Sequence, residues 1–252
     1  MYRVVEIERI RQEARNVKTF RFADDSSPLP GQFYMIWIPG VDEFPMSISY
    51  TGALKGFTVK KIGRGTSRMH DLEPGDKIWI RGPYGRGFHI DKRRKSLVVG
   101  GGSGMATLGP LIEEIKGDVI IAARTKEELI FTERFSHLNP WIATDDGSAG
   151  FKGYATDLAR KLVEEREYDI IYACGPEQMI KGLVDLAFER DIDIQVSLER
   201  LMKCGIGICD SCSINGYRVC VDGPVFFKEE LKNMDELGKV RRGWSGKREV
   251  VR

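Results

Sequence analysis

Residues 96–108 read Ser96-Leu-Val-Val-Gly100-Gly-Gly-Ser-Gly104-Met-Ala-Thr-Leu108. A short apolar run of strand length breaks on glycines, and helical spacing follows from Met105 to Ile115. A strand that runs through glycines into a helix offers backbone N–H groups and a helix N-terminus to an anion, typically a dinucleotide pyrophosphate. The G-x-G-x-x-G/A spacing is not met, because counting from Gly100 puts Met105 third and counting from Gly102 puts Thr107 there. Two readings stay open at this point: a nucleotide loop, or the tight strand-to-helix turn of an ordinary α/β domain.

Toward the C-terminus the same rhythm continues. Asp118 to Ala123 reads as a second apolar strand, Thr156 to Glu165 as a helix, Tyr168 to Ala173 as a strand and Pro176 to Arg190 as a helix. Apolar strands alternating with helices predict a parallel sheet covered on both faces. Ala122-Ala-Arg124-Thr-Lys-Glu127-Glu128 ends the second strand, where a ribose-contacting residue is expected. It offers an Arg and acids together, so the choice between NAD and NADP is open. Ala173-Cys174-Gly175-Pro176-Glu177 ends another strand, at the edge that lines ligand crevices in such sheets. Cys174 there faces either a nicotinamide or the core as a small hydrophobe, and the residue alone favours the core.

Toward the N-terminus, residues 1 to 95 carry short β-rich runs: Tyr2 to Ile10, Thr19 to Phe22, Phe33 to Ile38, Met46 to Tyr50, Gly56 to Ile62 and Lys77 to Arg81. Pro28-Leu-Pro-Gly31, Pro39-Gly40 and Glu73-Pro-Gly-Asp76 punctuate them, which predicts a barrel or sandwich. Phe44-Pro-Met-Ser-Ile-Ser49 suits the edge and face of a flavin ring, and Lys60-Lys-Ile-Gly-Arg-Gly-Thr66 reads as a cationic strand entering a phosphate turn. Without the rest of the chain, a strand surface and a hairpin turn are the favoured readings of these two stretches.

Cys204-Gly-Ile-Gly-Ile-Cys209-Asp-Ser-Cys212, with Cys220 beyond, gathers four of the five cysteines. The glycine spacers let several thiolates turn toward one centre. C-x4-C-x2-C opens the plant-type [2Fe-2S] pattern, whereas zinc usually takes C-x2-4-C pairs set well apart. Spacing favours iron–sulfur, zinc comes second and two disulfides third. The segment is poor in periodic elements and reads as needing a metal to hold it.

The 252 residues suffice for two domains and a small third. A net charge of +2 gives no sign of nucleic acid or a membrane surface. MYRVVEIERIRQEAR has no signal-like apolar run and no stretch approaches membrane-span length, so a cytoplasmic chain with a metal or redox centre is expected.

Taken in order, P-x-S-I at Pro45 to Ile48, G-x-G-T at Gly63 to Thr66, Gly82-Pro-Tyr-Gly-Arg-Gly-Phe88, the Gly100 to Ala106 loop, Thr144-Asp-Asp-Gly-Ser148, Gly150-Phe-Lys-Gly153, Cys174-Gly-Pro176 and the four-Cys segment ending Cys220-Val-Asp-Gly-Pro-Val-Phe226 resemble the ferredoxin-reductase-like flavoproteins. Within these the chain is most similar to the electron-transfer subunits of type B dihydroorotate dehydrogenases. The resemblance covers nearly the whole chain. It implies a multi-domain fold: an antiparallel β-barrel FAD domain over 1–95, an α/β parallel-sheet NAD-binding domain over 96–200 and a small C-terminal [2Fe-2S] domain over 201–252. It implies electrons passing from the FMN of a dihydroorotate dehydrogenase catalytic subunit through the cluster and FAD to NAD+, in a heterotetramer with two copies of each chain.

Residue by residue, the resemblance assigns Pro45, Met46 and Ser47 to the flavin motif. Thr58, Val59 and Lys60 then lie along the flavin, and Gly65 and Thr66 bind its phosphates. Gly101, Gly102 and Gly104 take the nicotinamide nucleotide, and Cys174, Gly175 and Pro176 lie beside the nicotinamide. Cys204, Cys209, Cys212 and Cys220 ligate the cluster. One departure stands out: the family's flavin motif begins with an Arg that pairs with the FAD pyrophosphate, and Phe44 stands there. FAD is still expected. Nicotinamide exchanges two electrons and the cluster one, so a flavin must mediate. No acid–base residue is required, and His70, His89 and His137 read as ordinary. Other chains with these domains serve ferredoxin oxidoreductases, sulfide dehydrogenases or hydrogenases. A zinc-stapled binding protein is the non-enzymatic alternative.

Overall fold

The computed structural model describes residues 1–243 and 245–250. Strands β1 (Arg3–Ala14), β2 (Val17–Ala23), β3 (Phe33–Ile38), β4 (Asp42–Tyr50), β5 (Leu54–Lys60) and β6 (Lys77–Tyr84) close an antiparallel barrel in the order β1-β2-β5-β4-β3-β6. Side chains alternate between the faces of a strand, so Ile7, Phe20, Phe22, Tyr34, Ile36, Phe57, Val59 and Ile80 all reach one interior. Closure leaves no free sheet edge. A one-turn-plus helix, α1 (Arg64–His70), forms where a strand and a glycine turn were expected. Thr66 Oγ1 accepts the N–H groups of Ile62 and Gly63 at 2.9 Å each, and Met69 is buried against the barrel core. Those two contacts, a cap and an apolar anchor, outweigh the two glycines that signalled a turn.

The second body holds β7 (Ser96–Gly101), α2 (Gly104–Ile112), β8 (Gly117–Ala123), β9 (Trp141–Thr144), β10 (Phe151–Lys152), α3 (Ala155–Glu165), β11 (Ile170–Cys174), α4 (Glu177–Glu189) and β12 (Asp193–Ser197). These six strands are parallel, and the sheet order is β10-β9-β8-β7-β11-β12, with one further strand beyond β12. From β7 the chain winds first toward β8 and later back to β11 on the opposite side. The order therefore reverses at β7, and ligand crevices in open α/β sheets lie at the carboxyl ends of strands at such a reversal.

The C-terminal stretch carries β13 (Ser213–Ile214), β14 (Tyr217–Arg218), β15 (Val225–Phe227), α5 (Lys228–Leu231), β16 (Val240–Arg242) and β17 (Arg248–Val250). β15 is the remaining strand of the sheet and runs antiparallel to β12. Met202, Ile214, Val219, Phe226, Leu231, Met234 and Leu237 join the core formed by β7, β11, α3 and α4. The stretch expected to need a metal to hold it thus also has apolar anchors in the neighbouring core, although Ile206, Ile208 and Val221 stay exposed.

The bodies are tied together by side chains. Arg134 donates to the Ser49 carbonyl at 2.9 Å and lies 3.7 Å from the centre of the Tyr50 ring, which also has Arg21 at 3.9 Å. Arg86, just after the barrel, donates twice to the Val225 carbonyl and pairs with Glu230 at 2.6 Å. Among the described residues no helix is long and apolar enough to cross a membrane.

Candidate functional site

A cavity of about 970 Å³ opens above the carboxyl ends of β7 and β11. Gly101, Gly102 and Gly104 form one rim, and Gly175 and Pro176 form the facing one. The two loops meet backbone to backbone. A Cβ on Gly104 would fall on the Cys174 carbonyl, and one on Gly101 would come within 2.7 Å of Met179 Sδ and 2.9 Å of Pro176. Gly102 differs, since its φ is +53° and a Cβ there would meet no protein atom within 4 Å. The space beside it is the cavity itself, as expected of a glycine that lets a ligand approach the backbone.

One side wall carries charge. Glu128 draws in two cations, Arg124 at 2.5 Å and Lys60 of the barrel at 3.8 Å, and Asp145 from the end of β9 completes this wall. Deeper in, the chain leaving β12 contributes Leu198, Glu199 and Arg200. The Glu199 carboxyl is open to the cavity but hemmed in by protein. Desolvation raises its pKa, and the charge of Lys60 opposes that rise. Arg241, Arg242 and Glu249 of the β16–β17 hairpin line the cavity from the other side, and Arg242 Nε is held by Ser213 Oγ at 2.9 Å.

The residues assigned to nicotinamide nucleotide thus come together, with one exception. Cys174 is 1% exposed and outside the cavity lining, with its thiol near Thr107 and Ser197. Burial pushes that thiol up to about 12, so it stays protonated and apolar in character. Only its backbone contributes to the loop contact with Gly104.

On the barrel, Pro45, Met46 and Ser47 lie on β4, where every residue from Asp42 to Ser47 is half-buried instead of alternating. Residues of both faces are therefore partly open along this strand. Thr58 is engaged inside, its hydroxyl shared with Thr19 and Ser49 at 2.8 Å each, and the Val59 side chain belongs to the barrel core. Of that trio only Lys60 reaches the cavity. The Thr66 hydroxyl caps α1, and Gly65 is covered by the Phe44 ring, which a Cβ would meet at 2.6 Å. At the position where the resemblance calls for an Arg, the chain places an aromatic lid on a glycine.

The four clustered cysteines meet in two pairs. Gly205, Gly207 and Asp210 adopt positive φ, curling the chain so that Cys209 lies against Cys204, while Cys220 lies against Cys212. Backbone N–H groups already point at sulfur: Ile208 N–H at Cys204 Sγ and Cys220 N–H at Cys212 Sγ, each 3.4 Å. The hydrogen bond between Cys209 and Ser211 brings the exposed Cys209 down to about 6, whereas burial pushes Cys220 up to about 12. Cationic iron would override the second shift, since a metal deprotonates the thiols it binds. Among the described residues no three His, Cys, Asp or Glu side chains gather for a single ion. Two thiol pairs with N–H donors suit the two irons of a [2Fe-2S] centre better than one tetrahedral zinc.

Comparison with known proteins agrees with this arrangement. The model of the iron–sulfur cluster binding domain of dihydroorotate dehydrogenase B matches residues 199–232, which contain all four cysteines. A Thermoplasma acidophilum protein named "Probable dihydroorotate dehydrogenase B (NAD(+)), electron transfer subunit" is 49% identical over 97% of this chain and 96% of its own length. The chain belongs to the family of dihydroorotate dehydrogenase B electron transfer subunits. A Methanocaldococcus jannaschii member bearing the same name is 45% identical, with 97% of each chain covered. Among solved structures, an NADH-dependent reduced ferredoxin–NADP oxidoreductase aligns with a TM-score of 0.80 and 33% identity, covering 92% of this chain and 93% of that one. Membership of the family bears out the barrel, the parallel sheet and the C-terminal cluster segment as one architecture. Sequence reasoning missed Glu199, Arg200 and the β16–β17 hairpin, none of which carries a local motif, and gave Asp145 no role. A signal did exist for Asp145, in the Thr144-Asp-Asp-Gly-Ser148 stretch already singled out.

Proposed function

We propose that this chain takes electrons from a catalytic subunit that oxidises dihydroorotate, and passes them through a [2Fe-2S] cluster and FAD to NAD+, in pyrimidine biosynthesis. The observation that carries this reading is 49% identity along 97% of the chain to an electron transfer subunit, with four paired cysteines inside the matched cluster segment. In finer detail, the partner's flavin is FMN and the complex holds two copies of each chain. The work divides over 1–95 for FAD, 96–200 for NAD and 201–252 for the cluster. Five cysteines without a disulfide among the described residues fit a reducing compartment, the cytoplasm.

The residues act by holding and orienting. Cys204 with Cys209, and Cys212 with Cys220, supply the thiolates. Gly101, Gly102 and Gly104 give the pyrophosphate a backbone surface, with Gly175 and Pro176 opposite. Pro45, Met46 and Ser47 border the flavin, while Gly65, Thr66 and Lys60 serve its phosphates. When bound, the flavin converts between the single electrons of the cluster and the hydride of the nicotinamide. Isolating the native complex tests the proposal. The expected product contains a dihydroorotate dehydrogenase catalytic chain and reduces NAD+ with dihydroorotate. The 33% identity to a ferredoxin–NADP oxidoreductase favours a second reading, and a ferredoxin-linked partner would move the function there.

A further inference from the structure

The guanidinium of Arg200 is nine-tenths buried, with only 3% of the side chain exposed. Both of its outer nitrogens are engaged. Nη2 donates to Glu177 Oε1 at 2.8 Å, and Nη1 donates to Glu177 Oε2 at 2.9 Å and to the Glu199 carbonyl at 2.8 Å. Glu177 is itself anchored, because its Oε1 also accepts the Gly238 N–H at 2.8 Å. The plane of the guanidinium is therefore fixed from three sides. Arg200 Nε is nevertheless the buried side-chain polar atom left without a hydrogen-bond partner among the described residues. Buried donors are almost always paired, and an orphan held this rigidly implies an acceptor supplied from outside the chain.

Its location says which acceptor. Arg200 and Glu177 both line the cavity, and Glu177 is the first residue of α4, directly after the Gly175-Pro176 rim. The barrel contributes only Lys60 to that lining, and none of Pro45, Met46 or Ser47 reaches it. The orphan donor thus belongs to the dinucleotide side of the site and not to the flavin strand. We propose that Arg200 Nε–H donates directly to an oxygen of the bound nicotinamide dinucleotide, with Glu177 as the residue that positions it. The inference rests on reading the cavity as the dinucleotide site. A role confined to the Arg200–Glu177 ion pair would leave Nε with no function.

Calorimetric titration of the purified holoprotein with NAD+, NADH and ADP-ribose tests this. Arg200→Lys keeps a charge for Glu177 but not the third donor, and about a tenfold weaker NAD+ and NADH affinity is expected, with flavin and iron content unchanged. Glu177→Gln, which keeps the donor but loosens it, should lose less. If ADP-ribose weakens in parallel, the acceptor is a ribose or phosphate oxygen; if it does not, the acceptor is the carboxamide. Either supports the proposal. Should Arg200→Lys fold poorly, the Glu177→Met/Arg200→Met pair removes donor and charges together, an exchange that buried ion pairs often tolerate, and the same loss is expected. Wild-type affinity retained within twofold in the variants, at whatever melting temperature, overturns the role of Arg200. Failure of the wild type to bind NAD+ or NADH would instead overturn the reading of the cavity.

Discussion

At the cavity above β7 and β11 the chain brings backbone against backbone, while at the cysteine segment it brings side chain against side chain. Gly101, Gly104 and Gly175 are pressed so closely that a single added carbon collides with the opposite loop. Their positions follow from the strands beneath, which are buried throughout, so the cavity is formed by folding alone. Around Cys204 to Cys209 the chain instead curls through positive-φ residues with Ile206 48% and Ile208 78% exposed. Nothing apolar inside that loop fixes it. It is held from its ends, by Met202 before it and by Cys212, Val219 and Phe226 after it. A preformed nucleotide site and a loop that two irons complete are thus set in one core.

The sharpest way to break this contrast is to cut an anchor. Phe226 is fully buried, packs edge-on against Tyr217 at 5.7 Å and lies under the Arg86 guanidinium. Phe226→Ala should cost about 3–5 kcal/mol in urea unfolding. Ile208→Ser, inside the loop, should stay within about 0.5 kcal/mol. A small loss for Phe226→Ala would mean that iron, and not the apolar core, holds the segment.

The glycines come next. Gly104→Ala forces a methyl onto the backbone of Cys174, and about 1–3 kcal/mol of stability should go together with NAD+ binding. Gly102→Ala should separate the two effects. Its methyl enters open space, so stability falls only by the left-handed strain of about 1–2 kcal/mol, while NAD+ affinity drops because the ligand now meets that methyl. Equal NAD+ affinity in Gly102→Ala would show that the pyrophosphate does not approach this backbone.

Removal of iron sharpens the other half of the contrast. Chelation under reducing conditions should abolish the cluster absorbance and leave flavin content and the cooperative unfolding of barrel and sheet intact. Global loss of far-UV ellipticity would show instead that the core depends on the metal.

What could be read in advance follows the same division. The barrel strands and the β–α alternation announce themselves by period and turn residues, which are local properties. α1 escaped because Gly63 and Gly65 signal a turn, and the burial of Met69 that pays for the helix is a tertiary fact. β15 escaped because its partner β12 lies across the whole cysteine segment. Within the site, the cysteines were legible by their spacing and the glycines by their place between a strand and a helix. The Arg200–Glu177 pair was not, since strand β12 and helix α4 bring those residues together only in the folded sheet. Likewise residue type alone favoured the core for the Cys174 thiol, where the structure buries it, whereas the motif set Cys174 itself beside the nicotinamide.

The smallest effect concerns the contact between barrel and cysteine loop. Arg81 lies 3.7 Å from where a Cβ of Gly205 would stand, and it is gripped by Glu43 at 2.6 and 3.0 Å, with Tyr2 donating to the same carboxylate. Burial alone would raise the Glu43 pKa, but the hydrogen bonds from Arg81 and Tyr2 override it and hold the carboxyl below its ordinary value of 4.5. A depressed carboxyl stabilises the fold above its unfolded value, and that contribution is lost as pH falls through the folded one. The pair should therefore contribute about 1 kcal/mol at pH 7 and progressively less from about pH 4.5 downward. Urea midpoints of wild type and Glu43→Gln should differ at neutral pH and converge in acid. Curves that stay parallel from pH 7 to 3 would show that the charge on Glu43 adds nothing to the stability of the fold.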